Sequence, residues 1–146
     1  MVFLDGFPEN PYNTRMSMSK AIAVDFGGTS IKIGVTCGSE LLDKAEPLPT
    51  QQFDSPESII AAMCETIRSL MQRHPDAVAV GLGMPGWVYF QKGILYQLTN
   101  VPVWNHEVPV REVMQRELGI PVVLDNDANC MAYAEWQLGA GRGMKN

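Results

Sequence analysis

Two apolar segments of this 146-residue chain each run directly into a short polar segment. Residues 21–24 (Ala-Ile-Ala-Val) precede Asp-Phe-Gly-Gly-Thr at 25–29, and residues 121–124 (Pro-Val-Val-Leu) precede Asp-Asn-Asp-Ala-Asn at 125–129. Short apolar runs bounded by turn residues are typical of buried strands. In open α/β sheets, ligands bind beyond the carboxyl ends of the strands. The two segments therefore predict an α/β sheet with a ligand site along one edge.

The order of the predicted elements indicates a mixed sheet. Strands at about 20–25, 30–36 and 40–47 are joined by short turns that contain glycine, as in an antiparallel three-strand meander. The elements after them are a helix from its N-cap Ser55 to Pro75, a strand at 77–82, a hairpin at 87–96, a helix at 109–118, a strand at 121–124 and a helix at 126–138. We therefore expect one α/β domain over residues 19–146, preceded by a loose extension over residues 1–18.

Composition narrows the possible partners. The net charge of −5 and the eleven scattered Lys and Arg residues argue against nucleic acid as a partner. No apolar stretch reaches the roughly 18 residues that a membrane helix needs, so no membrane partner is expected. The three cysteines lie far apart without a CxxC pair, which argues against a zinc site and favours a reducing compartment. We therefore expect a cytoplasmic protein that binds small molecules.

Residues 25–29 have the composition of a phosphate-binding turn. Gly27 and Gly28 allow backbone N–H groups to approach a phosphate closely, and the Thr29 hydroxyl adds a donor. Asp25, at the end of a buried strand, is costly unless a cation pairs with it, and hydrated Mg²⁺ is the natural partner beside phosphates. The alternative is an ordinary hairpin turn, in which Asp and Gly are common.

Residues 81–86 (Gly-Leu-Gly-Met-Pro-Gly) match the dinucleotide-binding pattern G-x-G-x-x-G. That pattern must open a helix, whereas the following residues 87–90 are predicted to form a strand. We therefore interpret residues 81–86 as a tight loop with few side chains, whose backbone lines a ligand pocket. A simple tight turn is an equal alternative.

Residues 125–129 combine two carboxylates with two carboxamides at the start of a predicted helix. Asp and Asn are preferred N-caps, so one of these residues is expected to cap the helix. Capping uses one side chain and leaves the others for a ligand. Asp127, in the first helical turn, can orient a sugar hydroxyl and accept its proton late in a loose transition state. Asn126 can hold a neighbouring hydroxyl through its donor and acceptor atoms.

The remaining aromatic, methionine and histidine side chains are interpreted as structural. Trp87, Trp104 and Trp136 are predicted to pack in the core rather than to stack on a sugar. The methionines at 63, 71, 114 and 131 are predicted to fill the core. His74 and His106 do not form a metal-binding pair.

Together, four segments resemble the N-terminal lobe of the ROK-family (repressor, open reading frame, kinase) sugar kinases. They are Ala-Val-Asp-Phe-Gly-Gly-Thr at 23–29, residues 81–86, Asn-Val-Pro-Val-Trp at 100–104 and Leu-Asp-Asn-Asp-Ala-Asn at 124–129. Their order and spacing are those of the family, and the resemblance covers about residues 20–143. It implies a ribonuclease H-like, actin-like ATPase fold. It also implies phosphorylation of a hexose-type sugar hydroxyl by ATP with Mg²⁺.

The resemblance further implies a role for each candidate site residue. Asp127 would be the catalytic base, and Asp25 would reach Mg²⁺ through water. The residues that would bind the sugar are Asn126, Asn100 and Gly86. The residues that would face the ATP phosphates are Asp25, Gly27, Gly28 and Thr29. The lysine that the family commonly carries after Gly-Gly-Thr is replaced by Ser30, and Lys32 follows two residues later.

The family continues into a second lobe that carries a Gly-Thr-Gly phosphate turn, a cysteine-rich zinc motif and the adenosine pocket. None of these motifs occurs in this sequence. The resemblance therefore implies an N-terminal lobe without its C-terminal lobe, inactive alone and part of a homo-oligomer at full length. The alternatives are a non-catalytic sugar-binding or remnant fragment, or part of a ROK transcriptional repressor. The 18 residues before Ser19 are too few for the winged helix-turn-helix of such a repressor.

Overall fold

The computed structural model describes residues 19–98 and 100–141, and the extension predicted over residues 1–18 lies outside this part of the chain. The elements follow the predicted order. They are β1 (Lys20–Phe26), β2 (Ser30–Cys37), β3 (Glu40–Lys44), β4 (Leu48–Pro49), a 3₁₀ turn (Thr50–Gln52), α1 (Pro56–Arg73), β5 (Ala77–Met84), β6 (Val88–Tyr89), β7 (Ile94–Leu95), α2 (Val110–Leu118), β8 (Val122–Asn126) and α3 (Asp127–Leu138).

Six strands form one sheet in the order β3-β2-β1-β5-β8, with the short β4 also paired to β2. Strand β2 is antiparallel to both β1 and β3, which confirms the predicted meander. The third strand predicted over 40–47 is divided, because β3 ends at Lys44 and β4 pairs with the start of β2. Strands β5 and β8 run parallel to β1. The carboxyl ends of β1, β5 and β8 therefore meet at one edge of the sheet.

Helices α1 and α2 cover one face of this sheet. Helix α1 begins as predicted, with Pro56 in its first turn and a capping box in which Ser55 and Ser58 each bond the other's backbone N–H at 3.2 Å. Helix α2 ends at Gly119, which has a φ of 72°. None of the described helices is both long enough and apolar enough to cross a membrane. The core side chains include Ile22, Val24 and Phe26 from β1, Ile59, Met63 and Ile67 from α1, and Val110 and Met114 from α2.

The three tryptophans differ in their surroundings, which corrects the prediction that all of them pack in the core. Trp104 is fully buried, as predicted, and meets Phe26 edge-on with 5.9 Å between ring centroids. Trp87 is 81% exposed, because it precedes a peripheral two-stranded sheet formed by β6 and β7. Trp136 and Met131 are exposed because they belong to α3, in which no side chain is buried. The core prediction is therefore wrong for Trp87, Trp136 and Met131.

A charged cluster joins β3 to the end of α1. The Asp43 carboxylate accepts a hydrogen bond from Arg73 Nε at 2.9 Å, and the same oxygen lies 2.9 Å from His74 Nε2. The bonds from Arg73 and His74 lower the pKa of Asp43 from 3.8 to about 2. Because the folded pKa lies below the unfolded one, ionised Asp43 stabilises the fold above the unfolded pKa. This stabilisation is lost as the pH falls through the folded pKa of about 2.

We expect Asp43→Asn to lower the urea unfolding midpoint at neutral pH, because the variant cannot present a carboxylate to Arg73. The difference from the wild type should shrink below a pH of about 4 and vanish as the pH approaches 2. Circular dichroism over a pH series measures both midpoints. Asp54→Asn, at an exposed aspartate outside the cluster, is the control. A midpoint difference that stays constant down to pH 2 would contradict this account of the cluster.

Candidate active site

Asp25, Gly83 and Asp125 lie side by side across the neighbouring parallel strands β1, β5 and β8. They occupy the face opposite α1, since the residue before each of them is buried in the core. A cavity of about 440 Å³ on this face is also lined by Asp127 and Cys130, from the first turns of α3. The strand register thus places the Asp25 and Asp125 carboxylates on either side of Gly83, and the start of α3 adds the carboxylate of Asp127.

Asp25 itself is not buried, which corrects the argument that burial would force it to pair with a cation. Its side chain is 67% exposed, and Lys32 Nζ lies 3.5 Å from its carboxylate. Lys32 stands opposite Asp25 in the pairing of β1 with β2. The carboxylate is exposed because the described residues leave this face of β1 uncovered. The position of Asp25 at the strand end agrees with the sequence prediction, but the energetic reason given for it is wrong.

The turn between β1 and β2 is fixed from outside by Thr50. Gly27 N–H donates to the Ser30 carbonyl at 3.0 Å. The Thr50 hydroxyl donates to the Gly27 carbonyl at 2.9 Å, and the Thr50 N–H donates to the Thr29 carbonyl at 3.0 Å. Within the described part of the chain, the N–H groups of Gly28 and Thr29 have no hydrogen-bond partner. The turn therefore presents two backbone donors at the site edge, which is what a phosphate requires.

Thr50 is a residue that sequence reasoning missed. It is only 2% exposed and is the one buried polar residue among the described positions. Its partners lie more than twenty residues earlier in the chain, and the short β4 strand brings them together. No local pattern marks such a contact, because it depends on the pairing of β4 with β2.

Asn100 lies against the same turn. A Cβ atom added at Gly28 would come within 3.1 Å of the Asn100 Cβ. Only the absence of a side chain at Gly28 allows this approach, so any substitution there displaces Asn100. The structure therefore brings two predicted site residues together, one assigned to phosphate and one to sugar.

The segment 81–86 differs from the predicted loop. Gly81 and Gly83 lie within β5, and only Pro85, Gly86 and Trp87 separate that strand from β6. No helix opens at this point, which agrees with the rejection of a dinucleotide-binding motif. A Cβ atom added at Gly83 would lie in ordinary van der Waals contact with Cys130 and Asp127, at 3.7 and 3.8 Å, so Gly83 packs directly against the start of α3.

Asn126 is the N-cap of α3, so its side chain is already partly engaged. Its Oδ1 accepts from the N–H groups of Ala128 and Asn129 at 3.0 and 3.4 Å, and its Nδ2 donates to the Gly86 carbonyl at 3.0 Å. One amide N–H remains for a ligand. Gly86 has a φ of 85°, and an added Cβ would collide with the Gln97 carbonyl. The backbone of Gly86 is therefore held directly against Asn126.

The two carboxylates of this segment differ in their engagement. Asp125 Oδ1 accepts from Asn126 N–H at 2.7 Å and from Asn129 Nδ2 at 2.9 Å. Asp127 is half-buried, and one of its oxygens accepts from Ala128 N–H at 2.8 Å. Asp125 is thus fixed by the side chain of Asn129, in the first turn of the helix that follows. Asp127 Oδ2 has no protein partner among the described residues, and Asp127 lines the cavity.

Cys130 lines the same cavity as the three carboxylates, so these side chains are the candidates for binding a metal ion there. Partial desolvation at the cavity wall, followed by the charges of Asp125 and Asp127, raises the pKa of the Cys130 thiol, so it stays protonated at neutral pH. Among the described residues, no three His, Cys, Asp or Glu side chains are placed to hold a metal ion together. Any Mg²⁺ at this edge would take most of its ligands from phosphates and water, with an exposed carboxylate such as Asp25 in reach of that water.

Comparison with known proteins finds a family model and relatives that match most of this chain. A family model described as "ROK family" matches residues 21–146. Glucokinase from Streptomyces coelicolor is 37% identical over 131 residues, which cover 88% of this chain and 39% of the relative. N-acetyl-D-glucosamine kinase from Escherichia coli is 37% identical over 111 residues, which cover 76% of this chain and 36% of the relative. The chain thus spans about 39% of the length of the glucokinase that it matches.

A solved structure supports the fold. The ROK family glucokinase from Streptomyces griseus, in complex with glucose and AMPPNP, superposes on this chain with a TM-score of 0.68 at 32% identity. The superposition covers 85% of this chain and 38% of that chain. The expected α/β fold class is therefore confirmed, as a mixed sheet of the actin-like ATPase type with an antiparallel meander followed by alternating helices and strands.

Proposed function

This chain belongs to the ROK family, and from that premise we propose that residues 19–146 are the N-terminal lobe of an ATP-dependent sugar kinase. The observation that carries the proposal is the row formed by Asp25, Gly83 and Asp125, with Asp127 beside it. Phosphoryl transfer needs little covalent chemistry from a protein and depends on positioning and charge. The phosphate turn lies at one end of this edge, and Asp127, which keeps one oxygen without a partner among the described residues, lies at the other. Together they supply the positioning and the charge.

The sugar side of the site is formed by Asp127, Asn126, Asn100 and Gly86. Asp127 Oδ2 orients the attacking hydroxyl and accepts its proton as the bond to phosphorus forms. The remaining N–H of Asn126 donates to a neighbouring hydroxyl, while its other bonds to Gly86 and to the helix keep it rigid. Asn100 reaches the sugar from the side of the phosphate turn, where it lies against Gly28.

The phosphate side is formed by the turn at Gly27, Gly28 and Thr29. The N–H groups of Gly28 and Thr29 donate to phosphate oxygens of ATP, and Thr50 holds the turn in that shape. Asp25 would bind a water of the hydrated Mg²⁺. Its exposed ion pair with Lys32 would then be broken. When bound, Mg²⁺ neutralises charge on the transferred phosphoryl group.

The substrate is a hexose-type sugar, and glucose and N-acetylglucosamine are the first to test because the relatives act on them by name. The site is open in this chain, since the Asp25 side chain is largely solvated. Phosphoryl transfer requires both substrates to be held and water to be excluded. We therefore propose that the 146 residues do not phosphorylate a sugar alone, and that the active full-length protein is a homo-oligomer.

A chimera tests the proposal. Residues 21–146 replace the matching segment of the Streptomyces coelicolor glucokinase, so that the remaining length comes from the relative. We expect ADP release from MgATP that depends on glucose or N-acetylglucosamine, measured in a coupled assay. The 146-residue chain alone is the matched control and should release none. A folded chimera that shows no sugar-dependent ADP release would overturn the proposed function.

A further inference from the structure

Three aromatic side chains form one exposed surface on the small hairpin of β6 and β7. Val88 pairs with Leu95 in this hairpin, and Leu95 is fully buried. Side chains alternate along a strand, so the neighbours of that pair point away from the core. The neighbours are the half-buried Ile94 and three exposed aromatic residues, Trp87, Tyr89 and Tyr96, which are 81%, 38% and 38% exposed. We refer to these three residues as the aromatic surface.

The aromatic surface belongs to the wall of a cavity that also contains Asn126. This cavity has a volume of about 400 Å³ and is lined by the three aromatic residues together with Gly86, Val88 and Asn126. An adjoining cavity of about 550 Å³ is lined by Gly86, Trp87, Tyr96 and Gln97. Both volumes lie in the range of small-molecule sites. Aromatic rings and one polar amide thus share the wall of a ligand-sized space.

The backbone holds this arrangement in place. Tyr96 N–H donates to the Trp87 carbonyl at 3.0 Å, so the two rings stand on opposite strands of one hairpin and on the same face. The Asn126 amide donates to the carbonyl of Gly86, the residue next to Trp87. The distance between the aromatic surface and Asn126 is therefore fixed by β6, β7 and β8 rather than by mobile side chains.

The chemistry of the cavity fits a sugar ring. A pyranose has one face of C–H groups, surrounded by hydroxyls. The face of an aromatic ring carries partial negative charge and attracts such C–H groups, whereas an amide binds hydroxyls. Contiguous exposed apolar side chains rimmed by polar groups, as in the aromatic surface beside the Asn126 amide, mark a binding site.

We propose that Trp87, supported by Tyr96, is the surface on which the C–H face of the sugar ring stacks while Asn126 binds its hydroxyls. Trp87 is then a residue that selects ring-shaped substrates over open-chain polyols. The identity of the ligand as a sugar rests on the proposed function, but the stacking itself is a binding event that needs neither ATP nor phosphoryl transfer.

Indole N–H signals test the proposal directly, because the chain has three tryptophans in different surroundings. The 146-residue chain, labelled with ¹⁵N-tryptophan, is titrated with glucose and, separately, with sorbitol, which has similar hydroxyls but no ring. We expect glucose to shift the Trp87 signal in a saturable manner and to leave the Trp104 and Trp136 signals in place. Sorbitol should shift none of them. The signals are assigned with Trp87→Phe and Trp136→Phe.

Substitution of Trp87 provides a second test of the stacking role. Trp87→Ala should weaken glucose binding about tenfold, measured by ligand-observed NMR, whereas Trp87→Phe keeps an aromatic face and should stay close to the wild type. Trp136→Ala is the matched control at another exposed tryptophan and should bind normally. An unchanged Trp104 signal shows that each variant is folded.

The outcomes separate this inference from the proposed function. Wild-type glucose affinity in Trp87→Ala, a Trp87 signal that glucose does not shift, or equal shifts with sorbitol would each overturn the stacking role. A chimera that phosphorylates glucose with an unchanged KM after Trp87→Ala would overturn it while the kinase proposal stands. A saturable, ring-specific shift at Trp87 together with an inactive chimera would instead support the stacking role and overturn the kinase proposal.

Discussion

Asp127→Asn is expected to lower kcat of the chimera for sugar phosphorylation by about 10²–10⁴-fold, the usual contribution of a positioned base. The amide has the same shape as the carboxylate, and its oxygen can still accept from the Ala128 N–H. The fold and the start of α3 should therefore be preserved. What is lost is the charge that orients the hydroxyl and the oxygen that accepts its proton. Initial rates at saturating MgATP and sugar measure the effect.

Asp125→Asn is the matched control, because Asp125 lines the same cavity and is two residues away. Its Oδ1 already accepts from Asn126 N–H and Asn129 Nδ2, so we expect Asp125 to hold the start of α3 in place rather than to accept the proton. We expect this variant to lose much less activity than Asp127→Asn. Near-normal turnover by Asp127→Asn, or a larger loss with Asp125→Asn, would show that Asp127 is not the base.

Trp104→Ala is expected to destabilise the fold by about 3–5 kcal/mol, as is typical when a buried tryptophan is truncated. Trp104 is fully buried and packs edge-on against Phe26 at the end of β1. Its backbone N–H, which the substitution leaves in place, donates to the Val101 carbonyl at 2.8 Å and closes the turn that follows Asn100. A loss of this size is a large part of the total stability of a typical domain. Urea unfolding, followed by circular dichroism, measures it.

Trp136→Ala serves as the control for this substitution. Trp136 lies on α3 and is 53% exposed, so its removal should change the unfolding free energy by no more than about 0.5 kcal/mol. If Trp104→Ala and Trp136→Ala had similar small effects, Trp104 would not anchor the core as the structure indicates.

The parts of the fold that local patterns determine could be predicted from the sequence. The meander follows from three apolar runs and short glycine turns, and the start of α1 follows from the side chain of Ser55 with Pro56 behind it. The site edge was also predictable, because parallel strands deliver Asp25 and Asp125 to the same end of the sheet. Each of these features depends on residues that are close in sequence or on a general rule of sheet topology.

The features that could not be predicted depend on what packs against a surface. The general tendency of large aromatic side chains to pack does not say whether a given face is covered, so the sequence predicts Trp87 and Trp136 in the core although both are exposed. The same reason explains the solvated side chain of Asp25. Thr50 was missed because its partners are distant in sequence.

The sequence alone also does not determine which residue caps α3. Four polar side chains compete for that position, and local preference alone does not rank Asp above Asn. The structure shows Asn126 bonded to two helical N–H groups, whereas Asp127 lines the cavity and keeps one oxygen without a partner among the described residues.

Following the transferred phosphoryl group by ³¹P NMR shows directly whether this edge of the sheet phosphorylates a sugar. Unlike ADP release, this measurement identifies the acceptor. With the chimera, MgATP and glucose, the account predicts a phosphomonoester signal that grows as the γ-phosphate signal of ATP declines, and that requires both glucose and Asp127. Loss of the γ-phosphate signal with only inorganic phosphate formed, or an equal phosphomonoester signal from Asp127→Asn, would contradict the assignment of this strand edge as a sugar phosphorylation site.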